Sequence, residues 1–405
     1  MRKQLLAIVA LVVTGVAKAQ VNLQEVYDFN RNQMNQITNP NKIIIMKTNS
    51  KLLIVIAIMV IHGSVWAYGP ENQNSVASVS KLETWHLSKD NDAVKSIPKA
   101  HSTSLKLIID VDPGTDDAVA IRLCKSLQPS PTHFVATMGN QPIKNTLCDL
   151  LILKNMFNLQ GAVFKGMESS LRGKVPYCGD FHGFDGLAGL QDSLSKIYVS
   201  QKDYDACRTL DNLANEILLS DSCIYVATGP LSSLAYILEK YKASGIENHI
   251  SKVIVMGGGI NRFNIGGNRE YNFAGDGEAV KIVFSSSLDI TLFPLDITEL
   301  FATIDSCQLD KIKSSPDVHP VISSLIQQNY ESNIKYTQTA IGAVLHDCLP
   351  IIYLMHPEEF DVEDMKLLAD STGKISEDEV YGQIVHVAKS CDSKLLYHTI
   401  LSTNN

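Results

Sequence analysis

The sequence predicts an α/β fold: a single domain with an open, mostly parallel, Rossmann-like sheet flanked by helices. Short apolar runs recur along residues 104–405 and are separated by helix-like stretches. These runs are nearly continuous rather than alternating, as expected for strands that are buried on both faces of a sheet. Polar or glycine residues follow each run. In open α/β sheets ligands bind at the carboxyl ends of the strands, so the active site is predicted there.

Five strands are predicted in chain order, and each stops at a turn signal. They are Leu105–Val111, Phe134–Met138, Cys223–Ala227, Lys252–Met256 and Ile290–Leu295. The first leads through a run of aspartates into a helix-like stretch at Ala118–Cys124. The other four end in Gly139-Asn140, Thr228-Gly229-Pro230, Gly257-Gly258-Gly259 and Asp296-Ile297-Thr298. Because the carboxyl ends of parallel strands meet at one edge of a sheet, we expect these turns to converge on one site.

The N-terminal segment has the features of a secretory signal peptide. Arg2 and Lys3 precede an apolar run of 13 residues, Leu5–Ala17, which ends in the A-x-A pattern Ala17-Lys18-Ala19. A membrane span needs about 20 apolar residues, so this run is too short to be one. We therefore predict a signal peptide at residues 1–19 and a secreted, extracellular protein without stable membrane insertion.

A second segment of the same kind lies at residues 46–67, where basic residues precede an apolar run and small residues follow it. Since one chain uses one signal peptide, Met46 is a candidate for the true initiator. A weak membrane anchor is the alternative. Residues 68–103 are polar and without periodicity, which predicts a linker or pro-segment. The globular domain is expected at residues 104–405.

Composition excludes several functional classes. The net charge of −8 argues against the basic face that nucleic-acid binding requires. Hydrophobic residues make up 45% and charged residues 19%, which argues against general disorder. The eight cysteines lie between Cys124 and Cys391 without a C-x-x-C motif, so zinc ribbons are disfavoured. Disulfides and buried free thiols both remain open.

The strongest signal is a cluster of acids after the first predicted strand. Asp110, Asp112, Asp116 and Asp117 place four carboxylates within eight residues. Such crowded charges repel unless a cation neutralises them, and hard oxygen ligands favour Ca²⁺ or Mg²⁺. Helix capping beside a Pro-Gly turn would explain one or two of the acids. A phosphotransferase motif D-x-D-x-[TV] is a weaker alternative, because Gly114 stands where that motif has Thr or Val.

The run Asp110–Ala118 resembles the signature D-x-D-P-G-x-D-D-A of the nucleoside hydrolase family. Other motifs resemble this family in the same order along the chain, from Lys106 to the C-terminus. They are Gly139-Asn140, His182–Leu187, Ala227–Leu231, Met256-Gly257-Gly258 followed by Glu270-Tyr271-Asn272, and His346-Asp347. The resemblance implies hydrolysis of the N-glycosidic bond of ribonucleosides, of the inosine–uridine type or broader, to ribose and free base.

By this resemblance, Ca²⁺ is held by Asp112, Asp117, the backbone carbonyl of Thr228 and Asp347. Asp112 is also the general base that activates water, since a carboxylate beside both metal and water suits that task. His346 is the candidate general acid for the departing base, because imidazole titrates near neutral pH.

The same resemblance implies which residues bind the nucleoside. Asn264 matches the family's contact to the 5′-hydroxyl by its spacing from Met256, and Asn268 is a competing choice. His182 is expected on the base side. The full substrate-binding set is Asp116, Asn140, His182, Met256, Asn264, Glu270 and Asn272.

Two residues depart from the family pattern: Cys348 replaces the usual Pro after His-Asp, and Tyr271 replaces a Phe. Two hypotheses follow. The first is a secreted, calcium-dependent ribonucleoside hydrolase acting on small-molecule ribonucleosides, with a homodimer or homotetramer implied by the resemblance. The second is a catalytically weakened nucleoside-binding protein of the same fold.

Overall fold

The structure, a computed structural model, describes residues 105–176, 178–337 and 342–403, together with four short strands nearer the N-terminus. The chain divides into two compact units, residues 1–100 and 101–405. In the first unit Ile43–Ile45 pairs antiparallel with Ser75–Ala77, and Met59–Ile61 pairs antiparallel with Ser64–Trp66. Apart from these strands, the predicted signal-like segments 1–19 and 46–67 and the predicted linker 68–103 lie outside the described residues.

The second unit alternates strands with helices. Its strands are β1 (Lys106–Val111), β2 (His133–Ala136), β3 (Ala162–Lys165), β4 (Arg208–Thr209), β5 (Cys223–Ala227), β6 (Ile250–Met256), β7 (Ile290–Phe293), β8 (Thr303–Ile304), β9 (Ala343–Val344), β10 (Phe360–Ala369), β11 (Ile375–Glu377) and β12 (Gln383–Cys391). Short 3₁₀ segments lie at Cys124–Ser126, Lys242–Ser244, Ile246–His249 and Pro357–Glu359.

The helices lie between these strands or follow them. They are α1 (Thr115–Leu123), α2 (Ile143–Met156), α3 (Gln191–Tyr198), α4 (Gln201–Asp205), α5 (Leu210–Leu218), α6 (Ser232–Tyr241), α7 (Tyr271–Gly275), α8 (Gly277–Val283), α9 (Leu295–Phe301), α10 (Ser306–Ser314), α11 (Pro320–Thr337), α12 (Cys348–Met355) and α13 (Leu395–Ser402). Among the described helices, none has the length and apolar character that crossing a membrane requires.

Ten strands form one sheet in the order β11-β10-β12-β7-β6-β5-β1-β2-β3-β4. The strands from β12 to β4 in this order are parallel to their neighbours, which confirms the predicted mostly parallel sheet. At the other edge β10 pairs antiparallel with both β12 and β11, which the sequence patterns did not predict. Strands β8 and β9 form a separate antiparallel pair.

The order of the strands creates a crevice at β1. The chain runs from β1 outward through β2, β3 and β4, and then returns to place β5 on the other side of β1. Asp110 lies level with Val135 of β2 and with Ala227 of β5. The loops after β1, β2 and β5 therefore begin at the same edge and open away from each other, and such a switch point is the usual ligand site of this architecture.

Helices cover both faces of the sheet. Leu107, Ile109 and Val111 of β1 pack into one buried layer, which includes residues of α1, α2, α11 and α12. The alternate residue Ile108 packs into the second layer, which includes residues of α5, α6 and α8. Successive strand side chains point to opposite faces, so β1 must be apolar at nearly every position. This explains the continuous apolar run that predicted it.

Candidate active site

Asp112 follows β1 directly and is fixed by the loops on either side. Its Oδ2 accepts a hydrogen bond from the backbone N–H of Asn140 at 2.8 Å. A methyl group on Gly139 would lie 1.9 Å from Oδ2, and one on Gly229 would lie 2.4 Å from Oδ1. The carboxylate of Asp112 therefore occupies a cradle that exists because the β2 and β5 loops carry glycine at these positions.

Helix α1 begins three residues earlier than the helix-like stretch predicted at Ala118. Gly114 is its N-cap, and the Gly114 N–H donates to Oδ2 of Asp117 at 2.9 Å. The Thr228 hydroxyl donates to Oδ1 of Asp117 at 3.0 Å. Asp116 and Asp117 thus lie in the first turn of α1, where the helix dipole favours negative charge.

Three carboxylates converge below the crevice. Oxygen atoms of Asp116, Asp117 and Asp347 lie within 4.8 Å of one another, and all three residues are buried. The structure brings together the predicted ligands Asp117 and Asp347, but it adds Asp116 to them rather than Asp112. The predicted fourth ligand, the Thr228 carbonyl, accepts a hydrogen bond from Asn272 Nδ2 at 2.6 Å and retains its second lone pair.

These acids are strained electrostatically without a cation. Burial and the neighbouring charge of Asp117 raise the pKa of Asp116 to about 7. Burial and the charges of Asp116 and Asp117 raise the pKa of Asp347 well above its usual range. Burial, with the charge of Asp117, also raises the pKa of Asp112. Buried carboxylates shifted in this way are stabilised in the charged form by a bound cation.

The donor set fits a hard divalent cation. Oδ1 of Asp112 and Oδ1 of Asp116 are buried and have no hydrogen-bond partner among the described residues. Every candidate ligand is an oxygen, which matches Ca²⁺ and Mg²⁺ rather than zinc or copper. These residues can therefore hold a metal ion.

Asp110, the first acid of the cluster, lies apart from this group. It faces the second buried layer, where the Tyr225 hydroxyl donates to its Oδ2 at 2.7 Å. Burial raises the pKa of Asp110 to about 8, which the Tyr225 bond partly offsets. Asp110 is therefore a buried structural carboxyl.

Glu270 organises the loop after β6. It is the N-cap of α7, and it accepts hydrogen bonds from the N–H groups of Gly258, Asn272 and Phe273 at 2.8–3.0 Å. Burial raises its pKa to about 7. Asn272 Nδ2 also lies 3.6 Å from the sulfur of Met256. Three predicted substrate-binding residues, Met256, Glu270 and Asn272, therefore form one connected group.

Two histidines face the same cavity and are each anchored through Nδ1. His346 Nδ1 lies 2.8 Å from the Thr298 hydroxyl of α9, and His182 Nδ1 lies 2.8 Å from the Thr115 hydroxyl of α1. Burial lowers the pKa of His346 to about 4. Burial, with the nearby His346, lowers the pKa of His182 to about 3. Both rings are therefore neutral at pH 7.

A cavity of about 760 Å³ lies above the acids and collects the predicted substrate-binding residues. Of the predicted site residues, its lining includes Asp116, Asn140, His182, Thr228, Met256, Asn264, Glu270, Asn272, His346 and Asp347. Asp112 and Asp117 are not part of this lining. Of the two candidates in the loop after β6, Asn264 lines the cavity and Asn268 does not.

Several cavity residues were not singled out from the sequence. Arg262 of the β6–α7 loop donates to Glu299 of α9 at 2.8 Å, and both line the cavity. Phe181 packs edge-on against His182 with ring centroids 4.9 Å apart, and Tyr336 lies beyond it. Of these residues, only Phe181 could have been predicted from the sequence. It directly precedes His182, and an aromatic residue in a ligand-binding loop often stacks on the ligand.

The two departures from the family pattern are accommodated locally. Tyr271 donates its hydroxyl to the Gly139 carbonyl at 3.1 Å, which ties α7 to the loop that holds Asp112. Cys348 is buried at the start of α12, with its sulfur 4.0 Å from the Asp116 carbonyl. The α12 helix therefore begins directly after Asp347 with Cys348 as its first residue, and Pro350 is its third. All eight cysteines are free thiols.

Comparison with known proteins gives a family match and similar folds. A model of the inosine-uridine preferring nucleoside hydrolase family matches residues 107–398. The non-specific ribonucleoside hydrolase RihC of Salmonella paratyphi B is 26% identical over 276 residues, covering 67% of this chain and 86% of that protein.

Solved structures of two nucleoside hydrolases share the fold. The plant nucleoside hydrolase PpNRh1 has a TM-score of 0.65 at 22% identity, covering 74% of this chain and 98% of its own. The purine-preferring ribonucleoside hydrolase from Gardnerella vaginalis has a TM-score of 0.65 at 20% identity, covering 74% and 97%.

Proposed function

Because the chain belongs to the inosine-uridine preferring nucleoside hydrolase family, we propose that it is a calcium-dependent hydrolase of ribonucleosides. It cleaves the N-glycosidic bond and releases ribose and the free base. The observation that carries this proposal is the cavity in which buried carboxylates and two neutral histidines meet at the family's motif positions. Its relatives' names describe both non-specific and purine-preferring hydrolases, so a broad base range is proposed.

Hydrolysis of a glycosidic bond passes through an oxocarbenium-like transition state. The reaction needs an activated water, fixed ribose hydroxyls and a proton for the departing base. In this proposal Ca²⁺ is held by Asp112, Asp117, Asp347 and the Thr228 carbonyl. When bound, it would orient water and ribose hydroxyls and offset the charge of the acids. The second lone pair of the Thr228 carbonyl and the unpartnered Oδ1 of Asp112 support this assignment.

Asp112 is the proposed general base. Its Oδ2 accepts a hydrogen bond from the Asn140 N–H, and the absence of side chains at Gly139 and Gly229 leaves the carboxylate room in this orientation. The unpartnered Oδ1 is therefore the oxygen that accepts a proton from water.

The ribose is proposed to lie against Asp116, Asn140, Glu270 and Asn272. Glu270 and Asn272 are rigid, because backbone amides and the Thr228 carbonyl hold them. Asn264 is proposed to contact the 5′-hydroxyl, since it lines the cavity while Asn268 does not. Such fixed groups reduce the entropy that must be lost on the way to the transition state.

His346, the candidate general acid, is proposed to stabilise the departing base through a hydrogen bond. The lowered pKa leaves a neutral imidazole, whose N–H donates a hydrogen bond to a base nitrogen that gains charge as the bond breaks, and the ring keeps its proton. Phe181, Tyr336 and Leu295 supply apolar surface to the same cavity, on which a planar base packs.

The test is ribose release by the purified full-length protein from inosine, uridine and adenosine, with CaCl₂, MgCl₂ or EDTA. We expect release with calcium, loss with EDTA, and at least a hundredfold lower rate for Asp112→Asn, since a general base contributes about 10²–10⁴-fold. Asp192→Asn, an exposed pair partner of Lys196, is the matched control and keeps full activity. Nucleoside binding without any release would instead support the weakened binding protein.

Secretion and assembly are proposals that rest on the sequence and the family. The signal-like segments at residues 1–19 and 46–67 support an extracellular enzyme. N-terminal sequencing of the secreted protein tests the initiator, because a mature start near Val21 would contradict Met46. A homodimer or homotetramer is proposed from the family resemblance, and sedimentation measures it directly.

A further inference from the structure

Thr115 presents two hydrogen-bond donors to one nitrogen of His182. As the first residue of α1, its backbone N–H has no acceptor inside the helix, and it donates to His182 Nδ1 at 3.0 Å. The Thr115 hydroxyl oxygen lies 2.8 Å from the same nitrogen. A ring nitrogen that accepts from an amide carries no proton, so neutral His182 carries its proton on Nε2.

The Thr115 hydroxyl is oriented in turn from α11. Asn329 is fully buried, and its Oδ1 accepts from the backbone N–H of Val344 at 2.9 Å. Because an amide donor identifies that atom as oxygen, the other end is Nδ2, which donates to the Thr115 hydroxyl oxygen at 3.1 Å. The hydroxyl hydrogen is then directed at His182. Two backbone amides thus set the direction of every hydrogen bond in the series Val344, Asn329, Thr115, His182.

We propose that Thr115, oriented by Asn329, is a positioning residue that holds His182 as the Nε2–H tautomer. His182 then donates a hydrogen bond into the cavity to an acceptor of the bound nucleoside, instead of accepting one. The proposal rests on the proposed hydrolase function, and it deepens that function by assigning a fixed donor to the wall beside Phe181.

The tautomer is measured directly by ¹⁵N NMR of the histidine side chains in full-length protein, with a His182→Gln variant to assign the signals. The expected result at pH 7 is a bare Nδ1 and a protonated Nε2 for His182. A protonated Nδ1, or a doubly protonated ring, overturns the proposal. This readout does not require activity, so it decides the tautomer even if no ribose is released and the proposed function fails.

A double-mutant cycle tests whether Thr115 acts through His182. Thr115→Val removes the hydroxyl and is expected to lower kcat about tenfold, the worth of one net hydrogen bond. In a His182→Ala background the same change is expected to have no effect, because the partner is gone. Equal losses in the two backgrounds overturn the proposal and assign Thr115 a general structural role.

Two further variants keep this result interpretable. Thr115→Ser retains both donors and is expected to restore kcat to within about twofold of the wild type. Thr146→Val changes a buried threonine of α2 whose hydroxyl bonds within its own helix, so it is expected to leave kcat unchanged. A loss with Thr115→Ser as large as with Thr115→Val also overturns the proposal.

Discussion

At the scale of single residues, the orientation of Asp112 depends on two neighbouring glycines, Gly139 and Gly229, which leave room for its carboxylate. The Gly229 backbone lies outside the left-handed region, so alanine fits its conformation, but the new methyl group would meet Oδ1 of Asp112 at 2.4 Å. The short aspartate side chain must then turn and lose its bond to Asn140. We predict that Gly229→Ala lowers kcat at least a hundredfold, the usual contribution of a general base, as measured by ribose release from inosine.

Gly275→Ala is the matched control for this change. A methyl group there would first meet Pro176 at 3.4 Å, an ordinary contact distance. Its kcat should stay near that of the wild type, and both variants should melt within a few degrees of it. Full activity of Gly229→Ala would show that the cradle does not fix Asp112.

His346 can be separated from the rest of the site through the leaving group. If the neutral His346 ring donates a hydrogen bond to the departing base, His346→Ala should slow inosine hydrolysis about ten- to a hundredfold, the worth of one hydrogen bond to a group that gains charge. A 4-nitrophenyl riboside, whose leaving group needs no proton, should be slowed little. Because burial lowers the pKa of His346 to about 4, its protonation should not change either rate between pH 6 and 8. Equal losses for both substrates would contradict a role of His346 at the leaving group.

Sequence reasoning found the acids, the asparagines and the two histidines because each belongs to a motif of a few residues. It did not find Thr115, Asn329 or Thr298 as partners of those histidines. Thr115 and His182 are 67 positions apart, and Asn329 and Thr115 are 214 apart. A hydroxyl that acts on a distant ring leaves no local pattern, so only the folded chain reveals it.

At the scale of elements, α9 supports two sides of the cavity at once. Its Asp296 accepts hydrogen bonds from the N–H groups of Ile260 and Asn261 at 2.8 and 2.9 Å. Two residues later Thr298 contacts His346, and the next residue, Glu299, pairs with Arg262. The helix therefore couples the β6–α7 loop, which carries Asn264, to His346.

We predict that Asp296→Ala raises KM for inosine about five- to tenfold with a smaller change in kcat. The reason is that two amide bonds, each worth about 1 kcal/mol net, no longer hold the loop that lines the cavity. Asp378→Ala is the control, because Asp378 also accepts from two successive amides, those of Val380 and Tyr381, in an exposed turn. A KM change of similar size in both variants would argue against a specific role for the loop.

The strands nearest the site were the predictable ones. β1, β5 and β6 are apolar on both faces, so their composition alone predicts them as buried strands. β3 and β4 are short, and β10 carries several exposed acids, since its outer face meets solvent at the antiparallel edge. Pairing with β12 stabilises β10, and this pairing cannot be predicted from the sequence of either strand alone.

At the scale of the whole molecule, buried acids make stability depend on pH and metal. The pKa of Asp110 is raised to about 8 and that of Asp116 to about 7, so the folded chain keeps protons that the unfolded chain has released. Each such group lowers stability by about 1.4 kcal/mol per pH unit until its folded pKa is reached. His182 and His346, with lowered pKa values, act in the opposite sense only below about pH 6.5.

The window from pH 6.5 to 8 therefore isolates the acids. In EDTA we predict that the melting temperature falls as pH rises through this window. The melting temperature in CaCl₂ should exceed that in EDTA by an amount that increases with pH, since a bound cation favours the charged carboxylates. Differential scanning fluorimetry measures both curves. A constant difference between the two melting temperatures would contradict a metal held by Asp112, Asp117 and Asp347.

The position of Asp347 also has a consequence for how the protein is made. The ribosome delivers Asp116 and Asp117 early, but the third carboxylate of the cluster emerges 230 residues after Asp117 (347 − 117). Domains form as their chain becomes available. A growing or truncated chain that ends before residue 347 therefore has Asp116 and Asp117, whose charges repel, but lacks Asp347, which completes the cluster that could hold the ion. Tight metal retention would then distinguish finished molecules from fragments.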